Sequence, residues 1–157
     1  MLFLLFQLAS DRYALDVDHI AEVLPLVRLK QIPHAPPGVA GVFNYHAAPV
    51  PAIDLSALML GRPAESRLST RLILVRYPND RGESRLLGLI AEHATDTMRR
   101  DPGDFVASGV GSGETPYLGP VATDALGVVQ WIRPAMLLPP AVQAALFRQC
   151  DENTTWP

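Results

Sequence analysis

The hydrophobic positions fall in short runs broken by proline, glycine or charge, a spacing that predicts strands far more often than helices. Residues 2–8, LFLLFQL, form one run of strand length. Tyr13, Leu15 and Val17 then alternate with Arg12, Ala14 and Asp16, the period-2 pattern of a half-buried strand. Ser10 and Asp11 between these runs suit a tight hairpin turn. Residues 18–23 predict a short helical turn with Asp18 as N-cap, and residues 28–32 predict another strand. Pro33, Pro36 and Pro37 impose an extended loop after it.

The clearest local pattern follows. Two apolar runs, 39–45 and 48–53, flank the polar break Asn44-Tyr45-His46-Ala47, and the second run continues as VPAIDL. This predicts a β-hairpin whose second strand enters a short helix over 55–60, with Asp54 at the helix start and Gly61 and Pro63 at its stop. Pro49 and Pro51 lie two apart and remove N–H groups from one side of the strand, which predicts an edge or a bulge there. Gly41 in the first strand predicts a close approach of two backbones.

Beyond a polar, linker-like stretch at 62–69, residues 70–77 and 85–91 predict two strands around the turn-rich PNDRGES, with 95–99 extending the second. Residues 101–120 are rich in glycine and proline and predict irregular structure. A last hairpin is expected at 121–122 and 127–132, then a helical turn from Pro134 and a terminal helix from Pro139-Pro140 to about Phe147. Many short strands with such turns argue for a mainly β, barrel-type architecture, and no internal repeat is present.

Composition narrows the chemistry. With 157 residues and 48% hydrophobic content the chain can bury a sizeable core. A net charge of −3 gives no reason to expect nucleic acid, since a phosphate-binding surface needs clustered excess positive charge. The apolar start is too short, and lacks the basic flank, for a signal peptide or membrane span, so neither membrane insertion nor export is expected. The lone Cys150 fits a reducing, cytoplasmic setting. His19, His34, His46 and His93 lack metal-ligand spacing, and no serine or cysteine sits in a nucleophile context, so no metal, cofactor or catalytic residue is expected. Gly109 to Gly113 lacks the lysine and the following helix of a phosphate loop. Arg67, Arg71, Arg76, Arg81 and Arg85 crowd the second-half hairpin; they read as edge protection, with a contact surface for an acidic partner as the sharper alternative.

The hairpin segment resembles the signature of the CheW-like coupling proteins, roughly P-x-x-x-x-G-x-x-N-L-R-G-x-x-x-P-x-x-D-L, at Pro33, Pro36, Gly41, Val42, Asn44, Pro51, Asp54 and Leu55. The opening is similar to the family's start at Phe6, Leu8, Tyr13, Ala14, Leu15, Ile20, Glu22 and Val23, and RLILVRY with LLGLIAEHATD resembles its second-half strand pair, Gly88 standing at the family's glycine. The resemblance implies two small five-stranded, SH3-like barrels intertwined over 1–147 with a boundary near 60–70, a crossing C-terminal helix, and a polar tail at 148–157. It implies a non-catalytic adaptor whose partners are the tip of a chemoreceptor and the regulatory domain of a CheA-like histidine kinase, reached at membrane receptor arrays through those partners. The partner-binding residues it points to are Ile20, Glu22, Val23, Asn44 and His46 in the first half, and Arg71 and Gly88 in the second. Two departures stand out. His46 replaces the family's arginine, a loss of its planar fork and permanent charge, and Ala47 replaces a glycine, which disfavours positive φ. EHATD at 92–96 likewise replaces a more usual D-G-V-x-D. Such changes suggest a divergent member serving a dedicated receptor and kinase, as in surface-sensing (Wsp-type) systems. The rival readings are a β-barrel sensor holding a small ligand and a small β-barrel enzyme; the first predicts a closed apolar cavity, against which the lack of one large barrel-length set of strands argues, and the second a pocket with convergent titratable groups.

Overall fold

The long strands are apolar on both faces because each separates two cores. The computed structural model describes residues 1–78, 84–109 and 115–152. In β6 (Arg71–Pro78), Leu72 and Leu74 enter one apolar cluster while Ile73, Val75 and Tyr77 enter another, and all five are buried. Alternation in β7 (Ser84–Arg99) divides Leu86 and Ile90 from Leu87, Leu89 and Ala91 in the same way. In β1 (Leu2–Leu8), Phe3 and Leu5 face a third cluster, and Leu4, Phe6 and Leu8 face the shared one. A strand buried on both faces reads as a continuous hydrophobic run, which is how these segments read in the sequence.

The remaining strands are β2 (Asp11–Asp16), β3 (Ile20–Pro25), β4 (Val39–Tyr45), β5 (Ala48–Asp54), β8 (Leu118–Asp124) and β9 (Gly127–Ile132). They form two five-stranded sheets that share β7, ordered β3-β6-β7-β5-β4 and β7-β1-β2-β9-β8. All contacts are antiparallel except β5 with β7 and β2 with β9. Each sheet curls so that the chain leaving one edge strand touches the opposite edge: Lys30, beyond β3, bridges Val42 on β4, and Val106, beyond β7, bridges Val121 on β8. The first sheet encloses Phe43, Val50, Ala52, Leu72, Leu74 and Ile90, and the second Phe3, Ala14, Phe105, Ala122 and Val129. The largest cluster lies between the sheets, covered by Leu137 and Leu138 and by Leu146 and Phe147 of helix α2 (Pro140–Glu152).

β7 crosses from one sheet to the other through a bulge. It advances from Glu92 to Asp96 while β1 advances only from Gln7 to Leu5, and His93 absorbs the change at φ 52°. Glycine serves close approach at two points. A Cβ on Gly41 would sit 2.4 Å from the Lys30 carbonyl oxygen, so the bridge to Lys30 needs that glycine, as expected. A Cβ on Gly88 would meet Leu72 Cδ1 and Phe43 Cε1, each at 2.9 Å.

Several local expectations are corrected. Residues 20–25 are strand β3, paired with β6, and only 17–19 form a single 3-10 turn. Its cap is Asp16, whose carboxylate accepts the Asp18 N–H at 2.9 Å, not Asp18. The open edge of β6 supplies backbone partners that a lone helical turn lacks, and those win. Residues 28–32 contribute one bridge instead of a strand, because Pro33 follows with no N–H to extend the ladder. Ala14, Leu15 and Asp16 are all buried, so β2 is covered on both faces at its end. The terminal helix runs on to Glu152. The hairpin and the helix α1 (Leu55–Leu60) stand as expected, with the Asp54 carboxylate accepting from the Ala57 N–H at 3.2 Å and Gly61 closing the helix at φ 74°. Pro49 and Pro51 precede the part of β5 that pairs with β7, which begins at Ala52. Arg81, the glycine run at 110–113, the side chain of Cys150 and the end of the tail lie outside the described residues.

Candidate functional site

The β4–β5 turn is built from two residues, His46 and Ala47, at φ 50° and 65°, between the paired Tyr45 and Ala48. Two successive positive φ values match the right-handed twist of the flanking strands, and Asn-Gly is their usual sequence. Ala47 disfavours this conformation, as its Cβ predicts, yet the chain keeps it, at a cost on the order of 1 kcal/mol. His93, which stands where the family pattern has glycine, also has positive φ.

This turn sets Tyr45 against β3, the opposite edge of the same sheet. The Tyr45 hydroxyl donates to the Glu22 carboxylate, and its ring lies edge-on to the His46 imidazole with centroids 4.3 Å apart. The hydrogen bond to that carboxylate, aided by partial desolvation and the carboxylate's charge, raises the phenol's pKa above the usual tyrosine value. Glu22, Asn44 and His46 are exposed, and Val23 beside Glu22 is 42% exposed. Ile20 is half-buried against the shared core, and its carbonyl accepts from Arg76 Nη1 at 3.2 Å. Asn44 borders a cavity of about 370 Å³ flanked by Arg28 and Lys30.

Two other expected site residues fall elsewhere. Arg71 is half-buried on β6, opposite Pro25 of β3 and Ala91 of β7. Gly88 is buried under Phe43 in the first core. The arginines of the second-half hairpin act separately. Arg76 holds the Asp18 and Ile20 carbonyls, Arg67 pairs with Glu65, and Arg85 stands 4.9 Å over the Phe147 ring.

A second feature lies between the sheets. His19, Arg76, Trp131, Arg133 and Met136 border a cavity of about 360 Å³, with Ile132 and Pro134 beneath. The 3-10 turn Pro134–Met136 forms one wall, and the Tyr77 hydroxyl anchors that turn by donating to the Ala135 carbonyl at 3.0 Å. Met136 is 47% exposed, so the wall ends in an apolar lip. Trp131, Arg133 and Met136 escaped the sequence reading because their positions follow from β9 running parallel to β2, a pairing with no local signal. Tyr45 also escaped it, although an aromatic in place of an aliphatic residue in the signature was visible.

The buried polar groups are structural. Asp54 also accepts from the Ala64 N–H at 2.9 Å, and Glu92 accepts from Ser56 Oγ at 3.1 Å and the Glu65 N–H at 3.0 Å, so two carboxylates clip the 61–69 segment to the first sheet. Burial raises the pKa of Tyr77 and of Tyr117. Among the described residues no three His, Cys, Asp or Glu gather as metal ligands, and no helix is long and apolar enough to cross a membrane.

Comparison with known proteins agrees with the fold. A chemotaxis protein CheW of Rhizobium meliloti (strain 1021) is 25% identical over 93 residues, 59% of this chain and 57% of the relative, so the match spans little more than half of that protein. The crystal structure of the scaffolding protein TtCheW from Thermoanaerobacter tengcongensis superposes with a TM-score of 0.74 at 21% identity, over 88% of this chain and 87% of that one, which establishes a common fold. The profile of the CheW-like domain covers residues 2–141, nearly every element described above, and the chain belongs to the CheW-like domain family.

Proposed function

We propose that this protein is a non-catalytic adaptor of a chemosensory system, joining the cytoplasmic tip of a chemoreceptor to the regulatory domain of a CheA-like histidine kinase. The observation that carries the reading is the groove between the two sheets, apolar at its floor and lip and basic at its rim through Arg76 and Arg133. Its form suits the apolar ridge of a helical hairpin laid across it. The surface of β3 and the β4–β5 turn, with Ile20, Glu22, Val23, Asn44 and His46, is then the face for the kinase domain; Arg71 borders it along β6, and Gly88 supports it from within. Coupling is geometric: an adaptor that grips both partners lets a receptor shift bias a two-state kinase. The sensor alternative needs a closed apolar cavity, whereas Phe43, Leu72 and Leu74 fill the first sheet and Phe3, Phe105 and Val129 the second.

Co-sedimentation with a receptor cytoplasmic fragment and the kinase regulatory domain from the same genome tests the proposal. Ternary assembly that depends on this protein, and that weakens with Met136→Glu on the receptor side and Glu22→Ala on the kinase side, is the expected result. Failure to bind either folded partner would refute the adaptor reading.

A further inference from the structure

The two edges of the first sheet meet at one exposed spot, where Glu22 of β3, Tyr45 of β4 and His46 of the turn come together. The Tyr45 hydroxyl donates to Oε2 of Glu22. A carboxylate has acceptor sites for several donors, and among the described residues only Oε2 has a partner, which leaves Oε1 for a donor from outside. The orientation is costly to build. It requires a turn with two non-glycine residues at positive φ, and the His46 ring holds the Tyr45 ring from the side. Strain kept at an exposed site points to a use for the geometry it maintains.

We propose that Tyr45 is a positioning residue, holding the Glu22 carboxylate so that its free oxygen receives an arginine or lysine side chain of the kinase regulatory domain. This rests on the adaptor reading above. An exposed glutamate on an edge strand samples many rotamers, and fixing one before binding removes that entropy cost from association. A cationic donor fits because its bond to an ionised carboxylate is charge-assisted, stronger than one from a neutral group. Leu24, two residues on along β3 and so on the same face as Glu22, packs with Tyr45 against the first core and offers apolar surface beside such a bond. A bond that only fastened the sheet edges would stabilise the fold and leave affinity untouched, and that difference separates the two roles.

Calorimetric titration of the kinase regulatory domain into the wild type, Tyr45→Phe, Glu22→Gln and the double variant tests this. Tyr45→Phe should weaken binding roughly fivefold, the contribution of one net hydrogen bond, and Glu22→Gln about tenfold. The double variant should bind no more weakly than Glu22→Gln alone, and Glu22→Gln should lessen the salt dependence of binding. Unchanged affinity in Tyr45→Phe, or an undiminished effect of that change in the Glu22→Gln background, would overturn the proposal while leaving the adaptor reading intact. The same pattern with the receptor fragment instead of the kinase domain would overturn the assigned partner. A wild type that binds neither removes the adaptor reading and this inference together. Thermal melts confirm folding of each variant. NMR of isotope-labelled tyrosine gives a readout free of partners: Tyr45 should ionise at lower pH in Glu22→Gln than in the wild type, and identical titrations would refute the bond on which the proposal stands.

Discussion

The two sheets face the same topological problem and close it differently. In each, the chain leaving an edge strand must reach the opposite edge, and each does so through one bridge, Lys30 to Val42 in the first and Val106 to Val121 in the second. The second sheet drives a wedge into its seam: Phe105 is buried beside that bridge, with its ring 5.2 Å from Phe3 and 5.1 Å from Trp131. The first sheet fastens its seam from outside, through the Tyr45–Glu22 hydrogen bond and a strained turn. An aromatic wedge is secured by buried area, which water does not contest. A polar latch at the surface contributes little net energy and is open to exchange with other donors. The proposed partner face therefore falls on the seam held by surface polar groups, and the second seam is the one held by buried area.

The sharpest way to break this contrast is Phe105→Ala. Loss of a buried aromatic ring should destabilise the protein by about 3–5 kcal/mol, read by denaturant unfolding, while Tyr45→Phe should cost under about 1.5 kcal/mol in the same assay. Comparable losses would show that both seams carry the fold equally. Gly88→Ala should cost about 1–3 kcal/mol through overpacking, since its Cβ would lie 2.9 Å from Phe43 and Leu72. A neutral Gly88→Ala would mean that the first core yields more readily than its packing implies. Ala47→Gly and His93→Gly should each stabilise by roughly 0.5–1 kcal/mol, because both replace a Cβ at positive φ. Thermal melts that fall instead would show that these residues make contacts worth more than the strain.

The smallest expected effect concerns the β8–β9 turn. Arg12 makes a two-point ion pair with Asp124 and holds its carboxyl below the usual aspartate pKa, helped by the Leu126 N–H. A carboxyl lowered in the folded state contributes stability above its unfolded pKa of about 3.9 and loses it as the pH falls through the folded value. Asp124→Asn should thus cost about 0.2–1 kcal/mol at neutral pH and approach zero difference in strong acid, as followed by denaturation at several pH values. A loss that persists undiminished in acid would assign the effect to packing of the turn instead.

Much of this architecture was legible locally. The hairpin of β4 and β5, the start of α1 at Asp54 and its stop at Gly61 need only residues near one another in the chain, and all occur as the sequence predicts. Gly41 also signalled its close approach, though not that the other backbone would be that of Lys30. The misread segments have a common cause. IAEVLP at Ile20–Pro25 is too short for its pattern to separate a turn from a strand, and only the presence of β6 alongside decides it. The double-sided burial of β2 follows from a core that forms only when both sheets are in place.

The candidate site divides in the same way. Glu22 and His46 stood out from the sequence, yet nothing in the 23-residue separation of Glu22 from Tyr45 shows that the turn's tyrosine reaches β3. The sequence by itself determined the β4–β5 hairpin, the ends of α1 and the family, since these depend on steric and hydrogen-bonding preferences acting over a few residues. Only the tertiary structure decided which edges meet, that Gly88 lies inside while Glu22 lies outside, and that a groove opens between β6 and β9. Those outcomes depend on the curl of two sheets joined through the bulge at His93, and sheet curvature is a sum over pairings distant in the chain.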